Sequence, residues 1–239
     1  MNLFESIISA LLPDRCAYCG KVVSSNRRVC RKCENELPRI EGTVCRKCGR
    51  EKDRCSCKGS EKYFTSLIAP FYFEGCVRTG LHIFKFRKGY LNYKVYSEEI
   101  AEVIKERYSD VDFDFVTEVP MTVKSQKQRG YNQCYWLAKG IGENLGIEHK
   151  PNALVKLYDT QKQHGISYHL RKGNLTGVFD VKNPEDIKGK RILVCDDIST
   201  SGETLNECAK MLWLYGAEEV RCVSVALTLF KSKKHIHYI

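Results

Sequence analysis

The sequence predicts an α/β fold, a mostly parallel sheet with helices on both faces, preceded by a small metal-organised module. Three observations carry this. Eight of the thirteen cysteines fall within the first sixty residues. From Tyr63 onward, apolar β-rich runs alternate with helix-length stretches, as in a parallel sheet whose crossovers are helices. A length of 239 residues with 43% hydrophobic and 28% charged side chains suits one globular domain plus a short appendage, and excludes a disordered chain or a large multidomain enzyme.

The opening stretch 1–12 has no basic start and is broken by Glu5, Ser6 and Ser9. It reads as a short amphipathic helix stopped by Pro13, not as a secretory signal. No apolar run reaches the roughly 18 to 20 residues that span a bilayer, so no membrane insertion is expected. With free thiols and no export signal, the expected compartment is cytoplasmic.

The eight N-terminal cysteines form four close pairs: Cys16 and Cys19, Cys30 and Cys33, Cys45 and Cys48, Cys55 and Cys57. A two-residue gap lets a tight knuckle aim two thiolates at one ion, and two knuckles supply the four tetrahedral ligands of a structural zinc. Eight sulfurs suffice for two such sites. Disulfides would need an oxidising compartment, and regularly paired knuckles suit Zn2+ better than an iron–sulfur cluster. Pairing in chain order or interleaved pairing both fit the spacing. Residues 1–60 cannot bury much core, so the metal is expected to hold this double zinc-ribbon module folded. The same segment holds 13 Lys and Arg against 7 Asp and Glu, over half of the chain's +10 charge. Arg27, Arg28, Arg31, Lys32, Arg46, Lys47, Arg50, Lys52 and Arg54 lie between the ligands, either as a surface for anionic partners such as nucleic acid or as a solvated face.

A boundary is expected near Lys58, Gly59 and Ser60, with 61–239 as the second domain. Strands are predicted at 66–73, 115–119, 153–157, 177–181, 191–195 and 220–229. Helices are predicted at 76–86, 93–107, 132–145 and 203–215, where apolar residues recur at three- and four-residue intervals. Cys195, Cys208 and Cys222 have apolar neighbours and read as core thiols.

Ligands of open parallel sheets sit beyond the carboxyl ends of the strands. The stretch 191–205 reads Arg-Ile-Leu-Val-Cys-Asp-Asp-Ile-Ser-Thr-Ser-Gly-Glu-Thr-Leu: a buried strand, an acid pair, a hydroxyl- and glycine-containing turn, then a helix. Backbone N–H groups over Thr200, Ser201, Gly202, Glu203 and Thr204 can cradle a phosphate, with hydroxyls from Thr200, Ser201 and Thr204. Asp196 and Asp197 can accept from vicinal ribose hydroxyls. Neither a Walker loop nor a dinucleotide glycine turn fits the spacing.

This stretch resembles the phosphoribosyl pyrophosphate (PRPP) motif of type I phosphoribosyltransferases. The segment 71–89 with Leu81, His82, Phe84, Lys85 and Phe86, then Val119-Pro120-Met121, Arg129-Gly130-Tyr131-Asn132-Gln133, Arg171, Asn174 and Phe179, and the leading Leu11-Leu12-Pro13 before Cys16, follow the order of the ComF family over nearly the whole chain. The resemblance implies a zinc ribbon fused to a phosphoribosyltransferase-type core, and a role in natural competence, the uptake of single-stranded DNA. It places a pyrophosphate loop at 120–130, with Lys124, Lys127 and Arg129 as counter-charges, and a closing loop at 156–174 with Gln163, Arg171 and Asn174. Lys156 stands where many relatives carry arginine. The implied ligand is PRPP with Mg2+, and the implied partners are single-stranded DNA and a competence helicase (ComFA-like).

Two expectations follow. One is a DNA-handling factor in which the PRPP pocket is a sensor or relic, with Tyr18, Tyr63 and Phe64 as rings that either stack on bases or pack. The other is an active phosphoribosyltransferase with an unidentified small-molecule acceptor. Purine-salvage relatives carry an acidic base where this chain has Thr200, so no catalytic residue is assigned.

Overall fold

The computed structural model describes residues 14–24, 27–55, 57, 61–86, 89–157 and 178–229. The helix expected before Pro13, the loop positions Gln163, Arg171 and Asn174, and the tail from residue 230 lie outside these. In chain order the elements are α1 (Arg31–Asn35), β1 (Ser66–Ile68), β2 (Phe71–Tyr72), α2 (Gly75–Phe86), α3 (Tyr93–Arg107) and β3 (Phe115–Glu118). There follow α4 (Val123–Arg129), α5 (Gln133–Leu145), β4 (Glu148–His149), β5 (Leu154–Lys156), β6 (Phe179–Val181), β7 (Arg191–Ser199), α6 (Glu203–Leu214) and β8 (Glu219–Leu227).

Six strands form one sheet in the order β1-β8-β7-β3-β4, with β2 also pairing to β8, and every pair is parallel. β7 and β8 are long apolar runs because both their faces are covered. Their side chains alternate: Leu193, Cys195, Val223 and Val225 pack with α2, α3 and α5, whereas Ile192, Val194, Val220 and Cys222 pack with α6. Helices therefore lie on both faces, and Cys195, Cys208 and Cys222 are fully buried core thiols.

There are three local differences from the sequence pattern. The single strand expected at 66–73 is two, interrupted at Pro70, which has no N–H to give the ladder. The strands expected at 153–157 and 177–181 are β5 and β6, an antiparallel pair outside the main sheet. The loop expected at 120–130 contains α4, capped by the Thr122 side chain accepting from Ser125 N–H at 3.2 Å.

The ribbon region packs into this core. Cys16, Ala17, Tyr18 and Cys33 belong to the same buried cluster as α2 and α3. Tyr18 meets Phe71 and Tyr96 edge-on, and Tyr96 Oη donates to Ala17 O at 2.9 Å. Gly80 permits this approach, since a Cβ there would lie 2.7 Å from both Ala17 O and Tyr18 Cα. Further along, Tyr72 N donates to Pro38 O, Ile40 N to Pro70 O and Leu67 N to Arg46 O, each within 2.9 Å. Residues 38–46 thus cover the sheet edge formed by β1 and β2, which would otherwise present unpaired backbone groups.

Candidate functional site

The eight N-terminal cysteines gather into two sets in chain order, Cys16 with Cys19, Cys30 and Cys33, and Cys45 with Cys48, Cys55 and Cys57, the sulfurs of each set lying within 4.8 Å of one another. Four thiolates at about 2.3 Å from a zinc ion would be separated by roughly 3.8 Å. The Cys19–Cys30 and Cys48–Cys55 sulfur separations are 3.8 and 3.7 Å, so both sets fit structural zinc. Knuckle backbone amides support the ligands: Cys33 N points at Cys30 Sγ at 3.5 Å, and this amide leads in holding the Cys30 thiol down to about 7.

The acid pair sits where the sheet changes direction. From β3 the chain winds outward to β4, and from β7 it winds the opposite way to β8, so the switch point falls between the adjacent strands β3 and β7. Asp196 and Asp197 lie on β7 itself, close to its carboxyl end, beside the chain leaving β3. Asp197 is 4% exposed, and its Oδ2 accepts from Gln133 Nε2 at 2.5 Å and pairs with Lys85 Nζ at 3.0 Å. Asp196 Oδ1 accepts from Asp197 N at 2.8 Å and from the Cys134 thiol at 3.5 Å. Burial and the neighbouring Asp197 carboxylate push Asp196 up to about 7. Cys134 is buried, and desolvation and the two carboxylates drive its thiol well above the usual range, so it stays protonated as a donor. A hard divalent cation here would be served by carboxylate oxygens and water, not by that thiol.

Beyond Ser199 the chain turns through Thr200 and Ser201, both exposed, to Gly202 at φ 77°, which is the N-cap of α6. No side chain caps this helix, so the first-turn N–H groups around Glu203 and Thr204 face outward with their partial positive charge. Glu203 pairs with Lys62 at the same rim.

Lys124 and Lys127 stand exposed on α4, and among the described residues neither forms an ion pair with Asp196 or Asp197. Arg129 is connected: its Nη1 donates to Gln133 Oε1 at 2.9 Å, and Gln133 in turn holds Asp197. Lys156 is in β5, its ammonium 5.7 Å from the Phe179 ring centre. The sequence reading did not assign Lys85, Gln133 or Cys134 to the site. Lys85 and Gln133 lay in segments quoted for the resemblance, but only the packing of α2 and α5 against β7 brings them to Asp197. Of the rings considered for stacking, Tyr18 and Phe64 are core, while Tyr63 is 43% exposed against Trp213, 57% exposed.

Comparison with known proteins matches both halves. Residues 7–62 fit the family model described as double zinc ribbon domain, and residues 138–238 fit the phosphoribosyl transferase domain. The chain is 23% identical to "Competence protein F" of Haemophilus influenzae, over 89% of this chain and 96% of that protein. It is 25% identical to "DNA utilization protein YhgH" of Salmonella typhimurium, over 90% of each. Among solved structures it is similar to one titled "Structure of the allosteric regulatory enzyme of purine biosynthesis", at 24% identity and TM-score 0.43, covering 56% of this chain and 26% of that one. A double zinc ribbon joined to a parallel phosphoribosyltransferase-type sheet defines the class. Within that class, the chain is similar over about nine-tenths of its length to proteins named for competence and for DNA utilization.

Proposed function

We propose that this protein is a competence-type factor in DNA uptake that binds single-stranded DNA and carries a pocket for PRPP with Mg2+. The observation that carries the pocket is the uncapped N-terminus of α6 directly beyond an acid pair at the switch point of the sheet. Backbone N–H groups over 200–204 would take the 5-phosphate, Asp196 and Asp197 the ribose hydroxyls, and α4 with Lys124, Lys127 and Arg129 the diphosphate. Mg2+, when bound beside Asp196 and Asp197, would supply positive charge that offsets that of the diphosphate. Lys85 pairs with Asp197, so a ligand bound to that carboxylate competes with the ion pair. Gln163, Arg171 and Asn174 would close over the sugar. This reading divides the chain into a metal-binding unit, 1–60, and a phosphoribosyltransferase-type unit, 61–239.

The nucleic-acid half rests on the names of the two relatives, each aligned over about nine-tenths of the chain, and on surface chemistry. Several ribbon cations are spent internally: Arg27 on Glu34, Arg28 on Glu98, Lys32 on Glu36 and Arg54 on Glu51. Among the described residues no ion pair engages Arg31, Arg46, Lys47 or Lys52, all exposed, which leaves them for phosphates. Tyr63 and Trp213, with Lys210 Nζ 5.8 Å from the Tyr63 ring, make a platform for bases. A competence helicase is the protein partner this role calls for, at a cytoplasmic site of action. No helix among the described residues is long and apolar enough to cross a membrane.

The intact acid pair favours a second reading, an active phosphoribosyltransferase with a small-molecule acceptor. Exposed Thr200 offers no general base, so its acceptor would have to be nucleophilic without one. Calorimetric titration of the zinc-replete protein with PRPP and Mg2+ tests the pocket. Binding by the wild type and its loss in a folded Asp197→Ala variant are expected; equal affinity in the two would refute the assignment.

A further inference from the structure

We infer that Arg50, a residue of the second zinc ribbon, is a positioning residue for the phosphate-binding turn, and that it couples the second four-cysteine centre to anion affinity at 200–204. The inference rests on the phosphate reading of that turn.

Arg50 lies between two ligands of the second centre, Cys48 and Cys55, and is only 1% exposed. Its backbone carbonyl accepts from Cys45 N at 2.7 Å, which closes the knuckle, and its Nη1 donates back to Cys48 O at 3.4 Å. The rest of the guanidinium leaves the ribbon altogether. Nε and Nη2 donate to Thr228 O at 2.9 and 2.6 Å, and Nη2 also donates to Thr200 O at 2.7 Å. Thr228 N donates in turn to Ser199 O at 3.1 Å, so the fork holds together the chain just beyond the carboxyl ends of β7 and β8.

The bond to Thr200 O bears on phosphate binding for two reasons. Thr200 C=O and Ser201 N–H belong to one planar trans peptide, so a carbonyl held toward Arg50 turns the Ser201 N–H the other way. A charged donor on the carbonyl also polarises that peptide and strengthens its N–H as a donor to an anion. Lysine cannot reproduce this: one ammonium on a flexible stem lacks the planar fork that reaches Thr200 and Thr228 together. The backbone of Arg50 is held by the Cys45–Cys48 knuckle, so whatever loosens that knuckle releases the turn.

The sequence shows Arg50 merely as one of eleven basic residues between Cys16 and Cys57. The structure separates it from them, since its charge is directed inward at main-chain carbonyls and not at solvent.

The test measures ribose 5-phosphate, which reaches the turn, and inorganic pyrophosphate, which reaches the 120–130 region, on full-length wild type and Arg50→Lys. The expected result is two zinc ions per chain in both proteins, about tenfold weaker ribose 5-phosphate binding in the variant, and unchanged pyrophosphate binding. A general loss of structure would weaken both ligands, and equal ribose 5-phosphate affinity in the two proteins would overturn the inference. A second measurement needs no variant: coupling is reciprocal, so ribose 5-phosphate should slow chelator extraction of one of the two zinc ions from the wild type. Unchanged extraction by a protein that binds ribose 5-phosphate overturns the coupling alone. A wild type that binds neither ribose 5-phosphate nor PRPP overturns the phosphate reading and the inference with it.

Discussion

Replacing Gly80 by alanine tests whether the first ribbon is part of the core or an appendage tethered to it. On an isolated helix this change is favourable, by about 1 kcal/mol of helix propensity. In α2 the new Cβ would lie 2.5 Å from Tyr96 Oη and 2.7 Å from Ala17 O and Tyr18 Cα. Two of these three atoms are backbone, so the knuckle between Cys16 and Cys19 must retreat by roughly 0.7 Å to reach ordinary contact. Overpacking of this kind costs about 1–3 kcal/mol. Moving Ala17 also weakens the bond from Tyr96, whose hydroxyl is fully buried, for about 1–3 kcal/mol more. The net expectation is a destabilisation of about 2 kcal/mol or more, or a melting temperature lower by roughly 4 to 8 °C. Urea unfolding followed by circular dichroism on zinc-loaded protein reads it, and chelator extraction of the first zinc should quicken in parallel. A variant as stable as the wild type, or more stable, would mean that the knuckle does not press on α2 and that the shared core is wrong.

Two further outcomes are expected. Arg221 grips Asp110 with two bonds of 2.8 and 2.9 Å and holds its carboxyl down to about 2, so the pair's contribution is complete above pH 4 and fades as pH falls toward 2. Melting temperatures of Asp110→Asn across that window should fall less steeply with acid than those of the wild type, and parallel curves would count against the pairing. Substituting Tyr63 and Trp213 together by alanine should weaken binding of a single-stranded oligonucleotide by about 1–3 kcal/mol for each base stacked, with the slope against salt retained because the phosphate contacts remain. Fluorescence anisotropy at several salt concentrations measures both; unchanged affinity would leave the two rings as partners of each other only.

What the sequence revealed followed from how local each signal was. The cysteine pairs are close in the chain, so two four-sulfur centres could be counted, although which pairs join needed the path of the chain through α1. The parallel sheet was legible because β7 and β8 are apolar throughout, and the phosphate turn because strand, acids, glycine and helix follow without a gap. Lys85 and Gln133 were not legible as site residues. Each lies more than sixty positions from Asp197 and reaches it only after α2 and α5 have packed on the sheet. The same limit hid Arg50, whose buried guanidinium looks in sequence like any of its exposed neighbours. Tyr18 and Tyr63 are the same residue type near basic clusters, yet one is core and the other surface, because only Tyr18 faces the opening left by Gly80.

The covering of β1 and β2 by residues 38–46 also sets an order of assembly. During synthesis the ribbon emerges before the sheet, and each two knuckles that share a site can take their metal from ligands near one another in the chain. Their permanent seat comes late: β1 and β2 have no other strand of the sheet to pair with until β8 exists, and the Arg50 fork waits for Thr228, 178 positions downstream. Contacts so distant in the chain form slowly, and until they form the early-made segment carries a charged fork with nothing to bind. The ribbon segment is thus fastened by β8, and the phosphate turn takes its final shape in that same step.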